Sequence, residues 1–171
     1  MLLRCAAALS LATAVAASPA AAHPQDSAIN AVSAALSTSR QGADVRGMAS
    51  HFHPDGLLID ARPGPALKGG DLAARLAPQA ERALKEGVTV VTAYRVEKRQ
   101  VLKDGIALDA GYMRQAIRRE GGPEQVRYAR FLVTLKQAAD GAWKILGDAS
   151  MPSTAEVWTA LTPQDGLTFD N

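Results

Sequence analysis

The chain has 171 residues with a formal charge of +2, 19 basic side chains standing against 17 acidic ones and only one cysteine. Near-balanced charge with scattered basic residues excludes the basic footprint that nucleic-acid binding needs. The densest basic point, Arg118-Arg119, is followed at once by Glu120 and reads as a solvated strand end.

Residues 1–22 read as a secretory signal peptide. Met1-Leu2-Leu3-Arg4 is a short positive start, Cys5 to Ala17 is apolar, and small residues lead to Ala20-Ala21-Ala22, an A-x-A cleavage pattern. The apolar run is too short to span a bilayer, which takes about 20 residues, and no later segment is longer. The expectation is a protein exported to the periplasm or medium after cleavage near Ala22, with no membrane span. Cys5 leaves with the peptide, so residues 23–171 have no thiol for a disulfide, a nucleophile or a metal. They suffice for one core of ordinary size, placed in a domain over 23–150 with a tail over 151–171.

Ala28, Ala31, Val32, Ala35 and Leu36 recur at helical spacing, and Gln41-Gly42 ends that helix. Asp44 can cap a second helix with Val45, Met48, Ala49 and Phe52 as its apolar face. His53-Pro54-Asp55-Gly56 predicts a turn and Leu57-Leu58-Ile59 a short buried strand. Ala61 to Lys68, rich in Pro and Gly, predicts a loop. Gly69-Gly70-Asp71 opens a third helix carrying Leu72, Leu76, Ala80 and Leu84, with a kink or break expected at Pro78. From Val88 the period changes to two. Val88, Val90, Tyr94 and Val96 alternate, then Ile106, Leu108, Ala110 and Tyr112 after the turn Lys103-Asp104-Gly105. Glu120-Gly121-Gly122-Pro123 is another turn. In the next strand Phe131, Val133 and Leu135 mark one face, with Val126, Tyr128 and Leu132 on the other. Ala139-Asp140-Gly141 leads into the last strand, Ala142 to Asp148. From Met151 onward the periodicity is weak. Helices followed by strands with short turns predict an α+β domain, helices covering one face of an antiparallel sheet. Such a curved sheet encloses a space suited to a small molecule.

Four stretches together resemble the nuclear transport factor 2-like superfamily, in particular its SnoaL-like bacterial members. They are Asp44–Asp60 (DVRGMASHFHPDGLLID), Leu67–Asp71 (LKGGD), Ile106–Tyr112 (IALDAGY) and Asp140–Asp148 (DGAWKILGD). The resemblance spans about residues 28–150. It implies a cone-shaped α+β barrel, a curved antiparallel sheet with helices packed on its concave face, around a deep pocket. It also implies a homodimer through the sheet. Functions across such folds range from isomerases and cyclases to binding modules, so function has to be argued from the site.

Candidate chemistry centres on HFHPDGLLID, residues 51–60, which holds two of the chain's three histidines. Residues two apart on a helix point about 200° from one another, so His51 and His53 fall on opposite flanks and lack a third ligand. No metal is expected there, and His51 complements the carbonyl end of a helix. Cleavage after Ala22 would make His23 the N-terminus, whose amine and imidazole can chelate copper, with His51 and His53 the sole further histidines to complete such a site. No cofactor is expected.

Asp60 ends an apolar strand, where burial would raise its pKa into a general base's range. The resemblance to ketosteroid isomerases makes Asp60 the matching carboxylate. The tyrosine those enzymes carry on the first helix falls near Leu36, and Gln125–Ala138 holds no acid. Tyr128, Tyr112 or Tyr94 remain as donors, and Asp148 remains the alternative base, as in SnoaL-like cyclases. Asp109 has opposite parity to Tyr112 and should face the other side. There is no Arg-x-Asp pair, no G-x-S-x-G elbow and no phosphate-binding loop. The pocket is expected to be lined by Phe52, Leu58, Tyr94, Tyr112 and Tyr128 and to take a small, largely apolar ligand. Two readings stand. One is a binding or accessory module; the other is a cofactor-free isomerase or cyclase with Asp60 or Asp148 as base and Tyr128 as donor.

Overall fold

The computed structural model describes residues 23–61, 63–164 and 167–169. The proposed signal peptide lies outside them. The fold begins with helix α1 (Asp26–Gln41), whose buried face is Ile29, Leu36 and Ser37, with Val32, Ser33 and Arg40 half-buried beside them. This stripe is rotated from the one the alanines suggest: Ala28 and Ala31 are exposed. Alanine favours helix wherever it points, so the larger side chains decide which face is covered.

Helix α2 (Val45–Ser50) is capped by Asp44, whose carboxylate accepts the Gly47 N–H at 2.9 Å. It stops short of Phe52, which instead opens strand β1 (Phe52–Ile59). His53-Pro54-Asp55-Gly56 is therefore no free turn but an irregularity inside a strand. The register against the partner strand slips between Phe52 and Leu57, so the extra residues bulge outward with Pro54 and Asp55 in solvent. Pro54 has no ladder N–H to donate, which is why the pairing breaks there. Strand β2 (Leu67–Lys68) pairs with β1. After a short 3-10 turn, α3 (Leu72–Lys85) runs unbroken through Pro78. Ala74, whose carbonyl loses its partner there, is exposed, as is Pro78, so the missing bond falls on the solvent side of the helix, where it costs least.

Three long strands follow: β3 (Thr89–Leu102), β4 (Ile106–Arg118) and β5 (Gln125–Gln137). Asp104 and Gly105 join the first two with positive φ of 68° and 66°, the conformation an Asp-Gly hairpin selects. Strand β6 (Trp143–Pro152) completes the sequence-predicted set. The tail adds helix α4 (Ala155–Ala160) and strand β7 (Thr168–Phe169), and both pack onto the sheet. Trp158 and Leu167 are buried, and α4 lies against β4.

The architecture is α+β. Seven strands form one sheet in the order β2-β1-β6-β5-β4-β3-β7, antiparallel except for the β1–β6 pair. Strands β2 and β7 end the sheet without meeting, so it curls without closing. Helix α1 lies across β3 and β6, and α2 packs on α1 and α3. One core gathers Ile29, Leu36, Phe52, Leu72, Leu135, Trp143 and Ile145; a second gathers Tyr94, Val96, Phe131 and Leu167. In the first half of β4 the covered residues are Ala107, Asp109 and Gly111, not the Leu108, Ala110 and Tyr112 that the alternation marks. Gly111 has no room for a side chain because the neighbouring strands crowd it: a Cβ there would collide with the Arg95 carbonyl of β3 and the Phe131 ring of β5.

Candidate functional site

Arg40 on the last turn of α1 extends the buried stripe of that helix by one turn beyond Leu36. Asp148 reaches it from β6, where a slip in the β5–β6 register between Thr134 and Leu135 re-aims the strand. Arg40 Nη2 meets Asp148 Oδ2 at 3.0 Å, and Arg40 Nη1 donates to the Tyr94 hydroxyl from β3. Asp148 is only 6% exposed. Burial foremost pushes its carboxyl above the ordinary value; Arg40 opposes the shift and Asp60 adds to it. Burial likewise raises the Tyr94 hydroxyl, against Arg40 and with Asp148. For Arg40, burial works against the charge, but Tyr94 and Asp148 outweigh it and the guanidinium is held more firmly protonated. Two opposed charges share one low-dielectric spot and compensate each other, with the Tyr94 hydroxyl also on Arg40.

This cluster stands between two spaces. On the outer side is a cleft of about 760 Å³, walled by α2, α3 and the ends of β3 to β6. Its sides are largely hydrocarbon, from Met48, Leu58, Leu76, Ala83, Val90 and Ile117, and its polar groups include Gln115, Asp60, Arg40 and Asp148. On the inner side is a small chamber of about 30 Å³ beneath α1. Arg40, Met113 and Asp148 line both.

The sequence-derived residues separate on this frame. Asp60 and Leu58 line the cleft, Asp60 on an exposed rim where its charge still reaches Asp148. Asp148 sits deepest. Tyr94 lines the inner chamber. Tyr128 touches the cleft mouth, but its ring packs on Trp158 of α4 at 6.3 Å between centroids, on the sheet face away from α1, α2 and α3. Tyr112 lies on that outer face too, with the Arg130 guanidinium 5.7 Å from its ring centre. Phe52 is in the core, against neither space. The structure thus brings Asp60 and Asp148 to one cleft with Arg40, and leaves Tyr112 and Phe52 out of it. Arg40 has no counterpart among the sequence-derived candidates. Its signal is a cation continuing the Leu36 stripe at i+4.

Asp109 faces inward, opposite to Tyr112 as its parity requires, but in a structural role. Arg99 grips both its oxygens at 2.7 Å and also reaches Asp26 Oδ1 at 3.2 Å and Asn30 Oδ1 at 2.7 Å. This network ties the start of α1 to β3 and β4. Among the histidines, His51 caps the end of α2, its pKa lowered by burial and by Lys144 against Asp44. His53 Nδ1 accepts the Asp55 N–H at 3.2 Å and His23 Nδ1 the Gln25 N–H at 3.2 Å. Among the described residues no three His, Cys, Asp or Glu side chains are grouped to hold a metal, and no helix is long and apolar enough to cross a membrane.

No protein-family model and no curated protein matches this chain. Solved structures do. A ketosteroid isomerase-like protein from Erwinia carotovora atroseptica is similar with a TM-score of 0.59 at 21% identity, over 77% of this chain and 98% of that one. A protein from Catenulispora acidiphila in complex with S-DNPA matches with a TM-score of 0.63 at 15% identity, over 74% and 91%. A Caulobacter vibrioides protein described as having a cystatin-like fold matches with a TM-score of 0.56 at 17% identity, over 78% and 92%. The chain has the cystatin-like fold of the nuclear transport factor 2-like proteins that its four stretches resemble, and at these identities the likeness is one of fold.

Proposed function

We propose that the cleft binds a small molecule with a largely apolar body and one polar group, and that the protein serves as an exported binding or accessory module, with a second copy covering the outer sheet face. The observation that carries the binding reading is the form of the cleft: about 760 Å³ of mostly hydrocarbon wall ending on the Arg40–Asp148 pair. A pocket of this size suits a ligand of a few fused rings, and the paired charges at its depth favour a neutral polar group over an ion. The ligand complex of the Catenulispora acidiphila protein supports small-molecule binding by this fold.

A polarity-sensitive acylnaphthalene fluorophore tests the reading. It is expected to saturate one site per chain with blue-shifted emission, and Ala83→Trp, which fills the α3 wall, is expected to abolish that signal. Absence of saturable binding, or binding indifferent to Ala83→Trp, overturns it.

A second reading has its own support. Asp60 and Asp148 line one cleft with Arg40 between chamber and ligand space, so a base and a cationic donor flank the place where a carbonyl would lie. A carboxylate with a raised pKa can take a proton next to a carbonyl while Arg40 stabilises the enolate oxygen. Deuterium exchange on a bound ketone would reveal it, with loss in Asp148→Asn or Asp60→Asn naming the base. Exchange no faster than in buffer alone leaves the binding module as the function.

A further inference from the structure

The inner chamber is continuous in register with the cleft. Along β4, Ile117, Gln115 and Met113 face the cleft, and Met113 and Asp109 face the chamber; along β6, Ser150 and Asp148 face the cleft, and Asp148 and Ile145 the chamber. The partition between the spaces is three side chains: Arg40, Met113 and Asp148. Two are fixed by their ion pair, while Met113 is an unbranched thioether that can turn aside without moving the backbone. Beyond it the ionic groups are already matched. Asp109 gives both oxygens to Arg99, and Arg40 is shared between Asp148 and Tyr94. The rest of the lining is mainly hydrocarbon, including Leu36, Val96, Phe131 and Leu135.

One wall does not come from the helices or the long strands. Phe169 pairs with Tyr94 across the β3 edge, and its side chain closes the chamber there. Its position is secured by the residues just before it. Leu167 beside it is 2% exposed, the Val96 N–H donates to the Leu167 carbonyl at 3.0 Å, and the Gln164 N–H donates to the Val96 carbonyl at 2.8 Å. The Gln164 side chain accepts the Arg99 N–H at 3.0 Å.

We infer that the chamber is a second subsite, taking a short alkyl substituent that projects beyond the ligand's polar group, and that Phe169 sets the longest substituent it accepts. The inference rests on the ligand-binding reading above and narrows the ligand class to carbonyl compounds, or similar neutral polar compounds, flanked by a bulky apolar body and a short alkyl end. The chamber's volume is that of about two water molecules on the same measure, enough for a stub of that kind once Met113 turns. An alkyl end loses little by leaving water for such a lining, whereas a second polar group would find its partners taken.

The test uses a homologous set of 6-acyl-2-(dimethylamino)naphthalenes bearing acetyl, propionyl, butyryl and valeryl groups, titrated by fluorescence against residues 23–171. The wild-type chain is expected to bind acetyl and propionyl probes and to lose about tenfold in affinity by the valeryl probe, a difference of about 1.4 kcal/mol. Phe169→Ala is expected to restore valeryl binding to within about threefold of propionyl, and Phe169→Trp to shift the loss toward propionyl. Circular dichroism melts accompany each variant, and Phe169→Leu, which keeps apolar cover over Tyr94, replaces Phe169→Ala if that chain does not fold. An unchanged length profile in folded Phe169 variants, with wild-type binding intact, overturns the subsite alone. No saturable binding of any probe to the wild type overturns the ligand-binding reading and the subsite with it.

Discussion

Replacing Arg40 by Met isolates what the buried pair contributes. The substitution keeps most of the stem volume and removes the charge that compensates Asp148, which is 6% exposed. An uncompensated buried carboxylate costs about 3–5 kcal/mol. Protonation sets a ceiling. Bringing a carboxyl with an unfolded pKa of about 3.9 to its neutral form near pH 7 costs about 4 kcal/mol. Losing the Arg40 bond to Tyr94 adds about 1 kcal/mol that does not depend on pH. The sign of the pH dependence follows from the direction of the shift. Asp148 is already raised in the folded chain, so its contribution opposes folding increasingly as pH climbs from the ordinary carboxyl range to the folded value. Below that range the contribution vanishes. Without Arg40, which pulls the carboxyl down, the folded value rises further and the window widens. Asp60 on the cleft rim pushes the same way. Urea unfolding is therefore expected to show a loss of up to about 4–5 kcal/mol near pH 7 and only about 1 kcal/mol near pH 4, with the m-value unchanged. Asp148→Asn in the same chain should recover much of the loss near pH 7. An equal loss at both pH values, or no recovery, would show that Arg40 acts by packing and that the site has no electrostatic core.

Two further outcomes follow from other parts of the fold. Arg99→Met strands Asp109, which is 2% exposed, and is expected to cost about 3–5 kcal/mol in urea unfolding; a loss below about 1 kcal/mol would mean the network across α1, β3 and β4 is not a structural clamp. Pro78→Ala restores a backbone donor to the Ala74 carbonyl on the exposed side of α3. It is expected to raise the unfolding free energy by about 1–3 kcal/mol, and a decrease would show that the proline ring makes packing contacts that matter more than the missing bond.

Most of the architecture was legible locally. Alternation over Val90 to Val96 and over Phe131 to Leu135 placed strands β3 and β5, though it left open which face of β5 is inward, and Asp-Gly at 104–105 and 140–141 marked two reversals. Where local reading went astray, the competing physics is identifiable. The β4 face was misjudged because its inward positions carry little apolar signal: Gly111 is held bare by the crowding of β3 and β5, and Asp109 is there to pair with Arg99. Phe52 was assigned to α2 because its spacing from Met48 fits a helix, whereas pairing opposite Ile145 draws it into β1. Strand β7 is two residues long and carries no period; only an open edge on β3 makes it a strand.

Of the site, the chain's own order of residues determined that Asp60 and Asp148 would end or interrupt apolar strands, because a carboxylate in such a setting needs a special neighbour. It did not determine that the neighbour is Arg40, 108 positions away from Asp148, nor that Tyr94 joins them, nor that Asp109 belongs to Arg99. A periodic pattern records which side chains leave water, and that depends on near neighbours in the chain. Which charges then face one another depends on strand register, on bulges in β1, β3 and β6, and on where α1 crosses the sheet. Those are long-range quantities, and only the assembled fold sets them.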